Sequence, residues 1–197
     1  MPIHPALPKL YLVRHGETAW TLSGQHTGRT DMALTGQGER EARSVRPLLE
    51  NVDFGLVLSS PLQRARRTAE LAGFGAVAQL DPDLSEWDYG SCEGRSTADI
   101  RTEHPGWHLF EDGCPGGETL NQVRRRAERV IGRARALEAD TLIFAHRDIL
   151  RILIARWLGL PAREARYFYL ATASLSILGY DHNLDEPVIR LLNEAHR

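Results

Sequence analysis

Cysteine is scarce in this chain: there are two among 197 residues, Cys92 and Cys114. No Cys-x-x-Cys pair occurs, which argues against zinc. Both cysteines lie in glycine-containing loop sequence and read as free thiols of a cytoplasmic protein, with a disulfide between them left open. His104 and His108 are four apart, but Pro105 and Gly106 between them break any helical metal-binding face. No zinc site is read from these residues, and no metal or cofactor is expected. Long apolar runs are also missing, so no membrane-spanning segment and no membrane partner is predicted. Neither sign of charge dominates: 24 Lys and Arg face 26 Asp and Glu, a formal net charge of −2. A nucleic-acid partner is not expected from that balance. Residues 1–9 hold three prolines and no hydrophobic signal core, which predicts a chain that is not secreted. Repeats, low-complexity tracts and linkers are absent, so residues 1–197 read as one domain.

What remains is a chain with 42% hydrophobic and 25% charged residues, the profile of a globular protein with one sizeable core. Apolar runs at 10–13, 56–58 and 142–145 read as buried strands. Residues 76–80 read as an edge strand, and 174–180 and 188–192 as two final strands. Between them, Thr35 is placed to cap a helix over 36–49, with Pro47 as a breaker near its end. Ser60 is placed to cap a helix over 62–71, with Pro61 at its first position. A long amphipathic helix begins at Leu120, with its arginines on a solvated face. A further helix over 149–158 stops at Gly159 and Pro161. The alternation predicts an α/β fold: a three-layer sandwich with a largely parallel central sheet and helices on both faces.

Three strand-to-helix junctions carry the chemistry. The first strand runs into Arg14-His15-Gly16, the second into a helix whose first turn holds Arg64, and the strongest strand ends at His146. In open α/β sheets, ligands bind at the carboxyl ends of the strands. Two histidines and two arginines at that level suit a phosphate: arginine offers a planar fork of donors, and histidine is a nitrogen nucleophile that can be neutral near pH 7. Gly16 is expected to let the backbone approach the anion. Arg64, a cation beside the positive end of a helix dipole, is expected to face that anion.

In order along nearly the whole chain, a series of motifs resembles the histidine phosphatase superfamily, also called phosphoglycerate mutase-like. They are Arg14-His15-Gly16-Glu17-Thr18, Thr27-Gly28, Ser59-Ser60-Pro61-x-x-Arg64, Glu86-Trp87-x-Tyr89-Gly90, Pro115-Gly116-Gly117-Glu118 and Phe144-Ala145-His146. The resemblance implies a phosphomonoesterase acting on small phosphorylated molecules, sugar phosphates or bisphosphates among them, through a phosphohistidine. It assigns His15 as nucleophile, Arg14, Arg64 and His146 as holders of the phosphoryl oxygens, and Glu86 as the proton donor. Thr27, Gly28 and Tyr89 match substrate-binding positions. A homodimer is compatible with it.

Three alternatives stand beside this reading. A cofactor-dependent phosphoglycerate mutase would carry paired arginines after the Glu86 region, and no Arg-Arg pair lies between Tyr89 and Gly117. A kinase is suggested by His146-Arg147-Asp148 but lacks the asparagine, where Leu153 stands, and the Gly-rich loop. A phosphate-binding pseudoenzyme is suggested by Arg147, because relatives usually have glycine there. Arg147 is expected either at the pocket rim, on a second anionic group of the substrate, or turned to solvent or paired with a carboxylate nearby on the helix.

Overall fold

The computed structural model describes residues 7–195; most of the N-terminal stretch read above as lacking a signal core lies outside them. Six strands form one sheet: β1 (Leu10–Arg14), β2 (Phe54–Ser59), β3 (Gln79–Leu80), β4 (Asp140–Ala145), β5 (Leu175–Tyr180) and β6 (Pro187–Glu194). Their order is β3-β2-β4-β1-β5-β6. The first four neighbours are parallel, β5 runs antiparallel to β1, and β6 antiparallel to β5. The sheet is thus mixed and mostly parallel. The helices are α1 (Ala19–Ser23), α2 (Gly36–Ser44), α3 (Arg46–Leu49), α4 (Gln63–Leu71), α5 (Thr97–Glu103), α6 (Leu109–Asp112), α7 (Leu120–Arg135) and α8 (Arg147–Trp157).

Alternation along the buried strands divides the core into two layers. Leu10 and Leu12 of β1, with Ile143 and Ala145 of β4, pack with α7 and α8 through Val123, Ala127, Ile149 and Leu153. Tyr11, Val13, Leu142 and Phe144 pack on the other face with Val45, Leu49, Ala69 and Ala72, the layer of α2, α3 and α4. Two of the expected helices begin or end differently. The one over 36–49 breaks at Val45 into α2 and α3. Pro47 has no N–H to give the preceding turn, so the chain restarts rather than continuing. The helix expected from residue 62 begins at Gln63; Leu62 is its N-cap without a side-chain bond. The Ser60 hydroxyl meets the Leu62 N–H at 3.3 Å but is mainly engaged with His146. The edge strand shrinks to Gln79–Leu80, because Val77 and Ala78 donate back to Phe74 in a turn. The short helices α1, α5 and α6 carry too few periodic positions to stand out in the sequence.

Register brings the strand ends level. Arg14 pairs with Ala145 and Ser59 with Phe144. One residue further on, the His15 N–H donates to the Ala145 carbonyl at 3.0 Å, and the Ser60 N–H to the Phe144 carbonyl at 2.9 Å. His15, Ser60 and His146 therefore emerge side by side from three neighbouring strands.

Candidate active site

The cavity at these strand ends is lined by Arg14, His15, Thr27, Glu86, Tyr89 and Arg147, with Trp20, Thr21, His26 and Thr97 closing it. His15 is 4% exposed. Its Nδ1 lies 2.8 Å from the Gly16 carbonyl, which can only accept, so Nδ1 carries the proton and Nε2 is left with its lone pair free. Burial first, then the Arg64 and Arg14 charges, hold the imidazole well below its ordinary pKa. It is neutral at neutral pH, the state a nitrogen nucleophile needs.

Behind it sit His146 and Arg64, both fully buried. The two histidine rings are 5.1 Å apart. Arg64 Nε donates to His146 Nδ1 at 3.0 Å, so the proton of neutral His146 is on Nε2, which donates to the Ser60 hydroxyl at 2.7 Å. Burial and the Arg64 charge keep His146 neutral as well. The rest of the Arg64 guanidinium spans the loop after α1, donating to the carbonyls of Thr27, Gly28 and Thr30 at 2.9–3.0 Å. Arg64 thus holds the catalytic loop and His146 together from behind; in this state its bonds run to protein carbonyls rather than into the cavity. Arg14 is different. One Nη donates to the Leu170 carbonyl, while its buried Nε has no protein partner. Burial and the neighbouring Arg147 lower its pKa to about 10, as expected for a cation waiting for an anion.

Glu86 enters from the irregular segment 84–94. That segment is pinned by Trp87, fully buried against Phe110, and by Arg126, which donates to the carbonyls of Asp83 and Ser85 and pairs with Glu118 at 2.7 Å. Arg126 was expected on a solvated face of α7; instead it is mostly buried and braces the loop that carries Glu86. The Glu86 carboxylate accepts from the N–H groups of Trp87, Asp148 and Ile149 at 2.9–3.0 Å, so it caps α8 from outside. Burial first, and then the Asp148 charge, raise its pKa against those hydrogen bonds. A carboxyl that holds its proton above the usual range suits proton donation.

Arg147 does line the rim, and it also pairs with a carboxylate, with Nε 3.2 Å from Asp148. The structure thus shows the carboxylate pairing at the rim. Asp148 is fully buried, takes the Tyr89 hydroxyl at 2.6 Å and pairs with Arg151 at 2.7 Å. Burial alone would raise its pKa, but Arg147 and Arg151 hold it low. The sequence reading missed Asp148, and no local signal distinguishes it from an ordinary helix N-terminal acid.

Gly28 lies outside the lining. Its N–H donates to Glu93 at 2.9 Å, and a Cβ there would come within 2.5 Å of the Trp87 carbonyl. Gly16 differs from expectation too. Its N–H is taken by the Thr68 hydroxyl at 3.1 Å, and a Cβ would meet the Gly38 carbonyl at 2.3 Å. The glycine serves close packing of the strand-end turn on α2 rather than approach to an anion. Among the described residues, the group with metal-ligand spacing is Asp181, His182 and Glu186, exposed in the β5–β6 turn and outside this cavity.

The model of the histidine phosphatase superfamily, branch 1, matches residues 10–195. The chain belongs to that superfamily. This histidine phosphatase is 41% identical to an acid phosphatase of Mycobacterium tuberculosis, over 89% of this chain and 88% of that one. It is 31% identical to the sedoheptulose 1,7-bisphosphatase of Saccharomyces cerevisiae, over 93% and 92%. A solved structure of a Mycobacterium tuberculosis open reading frame superposes with a TM-score of 0.91 at 38% identity, covering 95% of this chain and 98% of that one. The histidine phosphatase described here is accordingly a phosphatase of phosphorylated metabolites. Among the described residues, no helix is long and apolar enough to cross a membrane.

Proposed function

We propose that this phosphatase hydrolyses phosphate monoesters of small hydroxylated metabolites through a phosphohistidine at His15. The observation that carries the reading is the state of His15: neutral, its Nδ1 proton committed to the Gly16 carbonyl, beside an Arg14 Nε that has no partner. In the first step His15 Nε2 attacks phosphorus as the ester P–O bond breaks, and Glu86 gives its proton to the departing oxygen. Arg14 stabilises the charge on the phosphoryl oxygens directly; the Arg64 charge adds to it from behind the ring, and His146 acts by holding Arg64 and Ser60 in place. In the second step water attacks phosphorus, the P–N bond breaks, and the Glu86 carboxylate takes the proton of the water. Each proton is returned and no external oxidant or reductant is needed. Thr27 and Tyr89 line the cavity and are read as substrate contacts; Gly28 acts by shaping the loop.

Phosphatase is favoured over mutase because the segment between Tyr89 and Gly117 lacks the adjacent arginine pair that the family resemblance associates with mutases. The bisphosphatase among the relatives supports sugar phosphates and bisphosphates as the substrate class. Two buried free cysteines fit a reducing compartment, and we place the enzyme in the cytoplasm. Release of phosphate from p-nitrophenyl phosphate with no metal added tests the reaction. Turnover in wild type that His15→Ala abolishes is expected; turnover that survives the substitution rules the nucleophile out.

A further inference from the structure

We propose that a second, basic cavity beside the catalytic one is a subsite for a second anionic group of the substrate, with Arg101 and Arg147 as its donors. This deepens the reading above and rests on it. The neighbouring cavity is lined by Arg101, Arg147 and Arg151, by His26 and His108, and by Thr97, Trp107, Leu109 and Phe110. It shares His26, Thr97 and Arg147 with the catalytic cavity, so one molecule can occupy both. The lining contains no carboxylate.

The charges do not balance. Arg147 and Arg151 share one partner, Asp148, which lies beneath them and is fully buried. Arg101 donates its Nε to the Trp107 carbonyl at 3.0 Å and, among the described residues, pairs with no acid. Three guanidinium groups thus face one carboxylate, a surplus of two positive charges on a concave surface. Arg151 is spent: it also donates to the carbonyls of Ala165 and Arg166 and lies 4.8 Å over the Phe110 ring. Arg101 and Arg147 keep free donors. Arg147 sits where both cavities meet, held from below by Asp148, so its guanidinium is oriented before any ligand arrives. The two Nη groups of Arg101, with the one Arg147 Nη that Asp148 leaves free, suit a phosphate or a carboxylate equally. The ligand is therefore a phosphate monoester whose alcohol portion carries a further phosphate or carboxylate.

The test uses His15→Ala protein, which binds substrates without turnover, and calorimetric affinities for two pairs of compounds. Fructose 6-phosphate against fructose 1,6-bisphosphate reports a second phosphate. Glycerol 3-phosphate against 3-phosphoglycerate reports a carboxylate. The second anion is expected to tighten binding by about tenfold or more in at least one pair, and the pair that responds names the anion. Arg101→Gln and Arg147→Gln should each reduce that preference about tenfold, and added salt should weaken it. Equal affinity within both pairs, or a preference that survives both substitutions, overturns the subsite. Because the readout is binding, it stands apart from the phosphohistidine chemistry, whose failure would show as turnover without His15.

Discussion

Glu86 and His15 set opposite demands on pH. His15 acts unprotonated, and its pKa is held well below the ordinary 6.5, so kcat/KM falls only when the pH drops through that lowered value. Glu86 acts protonated, and its pKa is raised above 4.5, so activity falls as the pH rises through that raised value. The active window therefore lies between those two shifted values, and its alkaline limb belongs to Glu86. Glu86→Gln should flatten that limb for a given substrate; a limb that persists assigns the acid to another group. The same variant should slow alkyl phosphates by about 10²–10⁴-fold and p-nitrophenyl phosphate much less, because a good leaving group hardly needs a proton. Comparing the two substrates in steady-state assays separates proton donation from a structural role: equal loss on both would identify Glu86 as only the cap of α8. Arg64 makes a contrasting case. Replacing it with Ala leaves loop carbonyls and His146 Nδ1 unpaired in the interior, so a stability loss of about 2–4 kcal/mol is expected alongside lost activity. A denaturant titration reads it, and an unchanged midpoint would contradict the bracing role.

At the scale of elements, the turn after β1 and the start of α2 touch backbone to backbone. A Cβ at Gly38 would lie 2.1 Å from the Glu17 carbonyl, and one at Gly16 would lie 2.3 Å from the Gly38 carbonyl. Neither neighbour is a flexible side-chain end, so the elements must separate. Gly38→Ala is expected to cost about 1–3 kcal/mol, roughly 2–12 °C in Tm for a chain of this size. It should also lower kcat by shifting the turn that aims His15. Normal Tm and normal kcat together would show that α2 does not position the nucleophile. Thr35 supports the same junction. It caps α2 through the Gly38 N–H at 3.0 Å, as its place before a helical pattern predicts.

Across the whole molecule, the sequence discloses what periodicity and strand-end chemistry encode. The apolar runs ending in Arg14-His15 and His146 are buried on both faces, so they read as strands without ambiguity, and their register follows from the parallel sheet. The long helix α7 is visible for the same reason. What stays hidden depends on partners distant in the chain. Arg126 looks like any solvated arginine until Glu118 and the loop carbonyls close around it. Asp148 looks like a helix-start acid until Tyr89, Arg147 and Arg151 surround it, and Gly16 looks like a phosphate glycine until Gly38 is packed against it. Glu86 is legible through the family motif, whereas its cap on α8 is not, because that contact joins residues more than sixty apart. The arrangement as a whole converges on one atom, His15 Nε2. The most direct measurement is rapid mixing of wild-type enzyme with substrate, followed by quenching in alkali, where phosphohistidine survives, and peptide mass spectrometry. The expected result is a phosphoryl group on His15 that forms within one turnover, disappears as substrate is exhausted, and is absent from His15→Ala. Full turnover with no phosphoryl group on His15 at any time point would contradict it.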